Sequence, residues 1–291
     1  MKPGERRELA QAAVADRKIA IRRSCRLFTI SEGCYRHVPD TGKDSNLEDV
    51  LRRLAATHIR WGFGLMYGWI RNQGYTWNHK RVYRVYKRLE LNLRIKPKKR
   101  LPNRNPTPLA VPIAPNECWS LDFMSDSLSS NDSFRVLNII DDFNREYLHA
   151  EIDRSLPAAR VIRALEMAIE QYGKPRCLRS DNGPEFISQA LAEWASDKQI
   201  TLNFIKPGKP TQNAFVERFN KTYREEILDL YLFSSLSEVQ DQTTDWMWTY
   251  NRERSHKSLG GQTPWQYRRN WMASQAVEAV PRAMNTTSTA C

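Results

Sequence analysis

Through the first part of the chain, apolar residues recur at the three-to-four spacing of helices. From about residue 117 the period changes to that of strands. Leu9, Ala12, Ala13, Ile19, Ile21, Leu27 and Phe28 predict two or three short helices within 5–38. The stretch AIRRSCRLFTISEGCYRHV reads as helix, break, helix. Ser31 is placed to cap the second helix, and Glu32 favours its positive end. That outline is helix-turn-helix-like over 1–40. It is equally the outline of a helical hairpin with a solvated basic face. A second helical segment covers 46–95. Asn46 is a candidate cap for a helix running to about His58, a second helix takes in Leu65 to Asn72 and closes near Gly74, and a third starts at Asn78. In the third, Val82, Val85, Tyr86 and Leu89 form an apolar stripe, and Lys80, Arg81, Arg84, Lys87 and Arg88 occupy the other face. Trp61, Phe63, Trp69, Tyr75 and Trp77 read mostly as the small core of this segment. Residues 96–116 are rich in proline and carry a basic run, which predicts an extended linker.

Beyond the linker, CWSLDFMSDSL, SFRVLNIIDDF and YLHAEID predict three strands joined by the short turns SSND and NRE. A helix from Pro157 to Tyr172 follows, closed by Gly173 and Pro175. Next come a buried strand RCLRS, a helix from about Ile187 to Lys198, a strand TLNFIKP, and a long helix from about Asn213 to Leu228. The order βββαβαβα describes an α/β mixed sheet flanked by helices and fits a ribonuclease-H-like fold.

Charge divides the chain unevenly. Residues 1–100 hold 24 basic and 9 acidic side chains, and residues 101–291 hold 21 and 24. A cationic front joined to a nearly neutral back points to a polyanion, with nucleic acid favoured over an anionic membrane. The longest uncharged stretch, Asn105 to Asn116, contains four prolines and is too short to span a bilayer. The N-terminus lacks the apolar run of a secretory signal. Five cysteines, with no CxxC pair and no HxxxH, argue against a disulfide framework or a cysteine zinc site. Their irregular spacing suits small apolar side chains packed in a reducing cytoplasm.

Three carboxylates occupy telling positions. Asp122 interrupts the first strand, with Leu121 and Phe123 directed to the opposite face. Asp181 ends the RCLRS strand, where Asn182, Gly183 and Pro184 turn the chain. Glu217 shares a helix face with Asn213, Lys221 and Arg224, while Val216, Phe219 and Tyr223 pack the adjacent face. All-carboxylate ligation favours a hard divalent cation, Mg²⁺ or Mn²⁺, and two such ions suit phosphodiester chemistry. Lys221 and Arg224 are candidates to hold a DNA strand beside the metal. Asp126, Asp141, Asp142 and Glu185 also lie near strand ends or turns, where acidic residues usually cap or face solvent. Sequence alone does not rank Asp142 or Glu185 as supporting groups.

Asp181 and Glu217 are separated by 35 residues, and Asp122 precedes Asp181 by 59. This spacing resembles the D,D(35)E core of retroviral integrases and insertion-sequence transposases. The strings WSLDFMSD, SDNGPEF, NAFVERFNKTYREE and YNRERSHKSLGGQTPWQY resemble the OrfB transposases of two-reading-frame insertion sequences. Arg224, seven residues after Glu217, matches a basic position of that group. GFGLMYGWIRNQGYTWNHKRVYRVYKRLELN resembles its helical DNA-binding module.

The resemblance implies a metal-dependent polynucleotidyl transferase, with Asp122, Asp181 and Glu217 as catalytic metal ligands. It implies a core with C-terminal helices over 117–270, and 271–291 is expected to be a flexible tail. Lys80, Arg81, Arg84, Lys87, Arg88, Lys98, Lys99, Arg100, Lys221 and Arg224 are the expected DNA-binding residues. The implied partners are element ends, target DNA, further copies of the chain and an upstream-frame OrfA. The expected location is the bacterial cytoplasm, at the nucleoid. No zinc is expected, because His37, His58 and His79 lie far apart and Cys25 and Cys34 lack a nearby His pair. A purely hydrolytic nuclease of the same fold and a non-catalytic DNA-binding regulator remain as alternatives.

Overall fold

The computed structural model describes residues 3–37, 42–94, 109–206 and 210–278. The chain divides into two compact units, 1–50 and 51–291. In the first, α1 (Pro3–Arg17), α2 (Ile21–Leu27) and α3 (Glu32–Arg36) are short helices with few apolar residues to bury. Ala10 is buried, and its carbonyl accepts the Ser24 hydroxyl at 2.9 Å, tying α1 to α2. Ser31 caps α3 as expected, accepting from Cys34 N at 3.1 Å.

Helix α4 (Ser45–Thr57) begins earlier than expected. Glu48 N already donates to Asp44 O at 2.8 Å, so Asn46 lies inside the first turn and does not cap it.

In the second unit, α5 (Phe63–Asn72) and α6 (His79–Arg88) form a hairpin. Asn78 caps α6, accepting from Lys80 N at 2.9 Å. Phe63 packs edge-on against His79, Tyr83 and Tyr86, and Trp61 is buried and stacked on His58. Most of the aromatic residues here are therefore packing groups. The hairpin is bound to the rest of its unit rather than standing apart before the linker. Asn72 Nδ2 donates to Gly261 O at 3.1 Å, and His58 lies 3.7 Å from the Glu253 carboxylate. Gly68 rests on Ser255, where a Cβ would come within 2.1 Å of the hydroxyl. This is why the compact division falls near residue 50 and not at 96–116.

Five strands build the sheet: β1 (Cys118–Ser127), β2 (Ser133–Asp141), β3 (Tyr147–Asp153), β4 (Cys177–Ser180) and β5 (Thr201–Phe204). Their order is β3-β2-β1-β4-β5. The first three form an antiparallel meander, and β1–β4 and β4–β5 pair in parallel. This mixed order, with helices on both faces, is the ribonuclease-H-like arrangement expected from the sequence.

Helix α7 (Ala158–Tyr172) buries Val161, Ala164, Leu165 and Ala168, a spacing that lines one helix face. It ends at Gly173, whose φ of 89° is in the left-handed region. With α8 (Gln189–Asp197) it covers Trp119, Leu121, Leu137 and Ile139 on one sheet face. Ser188, not Ile187, starts α8, accepting from Leu191 N at 3.3 Å. On the opposite face α9 (Ala214–Tyr223) and α10 (Leu236–Arg252) pack Val216, Phe219, Tyr223 and Trp246 against Val136, Ile140 and Tyr147. The long helix predicted to Leu228 does reach it, but its last turn, Arg224–Leu228, is π-helical.

Helix α11 (Pro264–Glu278) continues into the segment expected to be a flexible tail. Tyr267 and Trp271 pack on Phe143, with ring centres 5.2 and 5.7 Å away, and hold the helix against the sheet.

Candidate active site

Leu121 is buried and Phe123 half-buried on the face covered by α7 and α8. Strand alternation sends the Asp122 side chain to the α9 face. There Asn220 of α9 donates from Nδ2 to Asp122 Oδ2 at 2.7 Å, and Phe123 N donates to Oδ1 at 2.9 Å. Asn220 is itself oriented, since Asn138 Nδ2 donates to its Oδ1 at 2.7 Å. The Tyr147 hydroxyl donates to Asn138 Oδ1 at 2.7 Å. Asn138 is the register partner of Asp122 on β2. A buried polar chain, Tyr147–Asn138–Asn220, thus runs through the core and fixes the carboxylate.

Asp181 stands one residue past the end of β4. Gly183 N donates to its Oδ1 at 3.0 Å. A Cβ at Gly183 would lie 3.1 Å from that oxygen and 3.4 Å from the Phe186 ring, so a side chain there would crowd the carboxylate. Glu217 sits in the first turn of α9. The helix is anchored to β1 on either side of it, by Asn213 Nδ2 donating to Leu121 O at 3.3 Å and by the Asn220–Asp122 bond. The Glu217 side chain is exposed between these anchors.

Two of the carboxylates act on the third. Burial pushes Asp122 up to about 6, and the negative charges of Asp181 and Glu217 push in the same direction. The hydrogen bonds from Phe123 N and Asn220 pull it back down. No cation is among these influences, whereas buried Asp142 faces both Arg179 and Arg145. Partial loss of solvent around it also raises Glu217, although its side chain remains exposed. Among the described residues no three His, Cys, Asp or Glu side chains converge closely enough to hold a metal ion. The carboxylates stand in electrostatic reach of one another without closed ligation. Their all-oxygen donor set and uncompensated charge fit a hard divalent cation.

The other acidic residues separate clearly. Asp126 is ion-paired with Arg224 at 3.0 Å. Asp142 is fully buried against Arg179, and its N–H donates to Cys118 O at 3.0 Å, four residues back from Asp122. Glu185 pairs with Arg135, whose guanidinium lies 4.1 Å over the Phe123 ring. It borders the Asp181 turn, 3.5 Å from where a Gly183 Cβ would stand.

Of the expected DNA-binding residues, Lys80, Arg84, Lys87 and Arg88 are exposed on α6 and Arg81 is half-buried. Lys87 lies 5.6 Å over the Tyr83 ring. Lys98, Lys99 and Arg100 lie outside the described residues. Lys221 is 3.8 Å from Glu225, and Arg224 also donates to Ser125 O at 2.8 Å. Sequence reasoning missed Asn138 and Asn220. The available signal was a polar residue inside the apolar run RVLNIID, and an asparagine one helical turn after Glu217.

Family models place an integrase core domain over residues 112–210 and a second integrase core model over 198–264. An HTH-like domain model matches 43–99, which holds α4 to α6. The IS476 insertion-element 39.2 kDa protein of Xanthomonas euvesicatoria is 36% identical over 280 residues, covering 96% of this chain and 81% of that protein. The chain belongs to the insertion-element transposase family with an integrase core. The IS407 31.7 kDa protein of Burkholderia multivorans is 36% identical over 249 residues, 84% of this chain and 89% of that protein. InsK of Escherichia coli K12, named for transposition of IS150, is 25% identical over 80% of this chain and 88% of its own length. Within this transposase-family chain, the integrase core models contain Asp122, Asp181 and Glu217, and the HTH-like model contains the cationic face of α6. No helix among the described residues is long and apolar enough to cross a membrane.

Proposed function

We propose that the chain is a metal-dependent polynucleotidyl transferase that cuts the ends of its insertion element and joins them to target DNA. Asp122, Asp181 and Glu217 are its Mg²⁺ or Mn²⁺ ligands. The observation that carries this reading is that Asp181, past a strand end, and Glu217, on a helix, both bear electrostatically on Asp122 in a strand, with no cation among the groups acting on Asp122. When bound, two such ions activate an attacking oxygen and stabilise a leaving one.

The chain's own residues supply the frame. Asn220 and Phe123 N fix the Asp122 carboxylate, and Gly183 N fixes that of Asp181. The rigid sheet beneath them holds the ligands in a constant relation. The exposed face of α6 meets DNA phosphates and groove edges; Lys98, Lys99 and Arg100, which follow in sequence, add further positive charge. Several copies of the chain bring two element ends together.

The test is incubation of the full-length protein with duplexes of the element's own ends and Mg²⁺. Cleaved ends joined to a second duplex are expected. Asp122→Asn, Asp181→Asn and Glu217→Gln should each reduce both steps by at least about 1,000-fold, since an amide does not supply the charge that offsets a dication. DNA binding should change little. Cleavage without joining would assign the hydrolytic alternative, and binding without cleavage the regulatory one. Near-normal activity in any one variant would remove that residue from the site.

A further inference from the structure

β1 and β4 run in parallel with Cys118 opposite Cys177, Trp119 opposite Leu178 and Ser120 opposite Arg179. Residues two apart on a strand share a face. One face of this strand pair therefore carries two successive rungs, Cys118 with Cys177 and Ser120 with Arg179. Each cysteine stands four residues before a carboxylate, Asp122 or Asp181.

Both thiols are free. Cys118 is buried, and Cys177 is half-buried, lining a cavity of about 440 Å³ with Glu117, Arg176, Arg179 and Thr201. Each thiol acts on the other: Cys118, with Arg179 adding to the effect, holds the Cys177 thiol below its ordinary value, and Cys177 pushes Cys118 up. A cavity of this size admits a molecule little larger than water, and the thiolate form is the nucleophile.

We propose that Cys118 and Cys177 form a reversible disulfide on exposure to a hydroperoxide. Cys177 sulfur attacks one peroxide oxygen, the O–O bond breaks, and hydroxide leaves, giving a sulfenic acid. Cys118 sulfur then attacks the Cys177 sulfur, the S–O bond breaks, and water departs with the Cys118 proton. The two sulfurs lose two electrons and the peroxide gains them.

Neighbouring strands stand about 4.8 Å apart, within the roughly 4.4–6.8 Å that a disulfide spans between Cα atoms, so the register pair Cys118–Cys177 is close enough to bridge as the strands stand.

The test uses reduced full-length protein treated with hydrogen peroxide, then alkylated, digested and mapped by mass spectrometry. A linked Cys118–Cys177 peptide that dithiothreitol removes is expected. Cys177→Ser, and Cys118→Ala as a second variant, should give no linked peptide. Unlinked or differently paired cysteines in the wild type would overturn the proposal.

Discussion

A carboxyl group held at about 6 in the folded chain, against 3.8 ordinarily, binds its proton more tightly in the native state than in the unfolded one. Between these two values the native state carries more of that proton, so stability falls as pH rises through the window and is level above it. Asp122 thus costs the metal-free protein stability at neutral pH. Its own hydrogen bonds offset only part of the cost, and a bound dication would reverse it. Asp122→Asn should therefore raise the melting temperature of the metal-free protein at pH 8, by the equivalent of about 1–2 kcal/mol. The advantage should shrink as pH falls below about 6 and vanish only below about pH 3, where the wild-type carboxyl is neutral in both states. Mg²⁺ should stabilise the wild type and leave the variant unmoved. Paired melting curves across pH, with and without Mg²⁺, check all three expectations; equal curves at pH 8 would mean that the carboxylate is not strained. That three acidic residues belong together was legible in their spacing and local strings. What fixes them was not, because Asn220 and Asn138 meet only through folding, from positions 82 residues apart in the chain.

At the scale of the element, α9 shows how one helix serves both packing and site. Its apolar face, Val216, Phe219 and Tyr223, was readable from helical spacing and is buried as that spacing requires. Its polar face was readable only in part. Arg224 stands seven residues after Glu217, a position that in sequence points toward DNA. In the structure its guanidinium bonds Asp126 and Ser125 O of β1, at the start of the π-helical turn. Sequence shows the helix face but not the strand opposite it, so this pairing could not be read from periodicity. Arg224 and Asp126 are about one-third exposed, which screens their attraction. A double-mutant cycle of Arg224→Ala and Asp126→Ala in urea should give a coupling of about 0.5–1 kcal/mol. Added salt should reduce it. Zero coupling, together with a loss of strand transfer in Arg224→Ala alone, would return Arg224 to the DNA. The same contrast applies to α11, where Tyr267 and Trp271 dock on Phe143 of the turn after β2, a contact that no local pattern announces.

For the whole molecule, charge and core are divided between different stretches of sequence. Residues 1–100 carry the excess of 24 basic over 9 acidic side chains, while both apolar clusters of the sheet lie between Trp119 and Tyr250. A fragment starting at Asn116 retains every residue of those clusters and should fold. It loses Asn72 of the helical hairpin and His58 before it, the partners of Gly261 and Glu253, so it should melt below the full-length protein. Its DNA binding should change in a way that identifies the electrostatic contribution. Each phosphate neutralised contributes about 0.9 to the slope of log affinity against log salt. If the five cations of α6 each meet a phosphate, the fragment's slope should be shallower by about 4–5. Single substitutions then separate two kinds of contact. An alanine at a phosphate-contacting position such as Lys80 should weaken all duplexes alike and reduce the slope by about 1. An alanine at a base-reading position should instead erode the preference for element ends over scrambled duplexes, by about 1–3 kcal/mol. Binding of full-length protein, fragment and single variants to both duplexes across a salt series makes the comparison. A fragment that matched the full-length protein in affinity, slope and discrimination would move DNA recognition out of the cationic front and into the sheet domain itself.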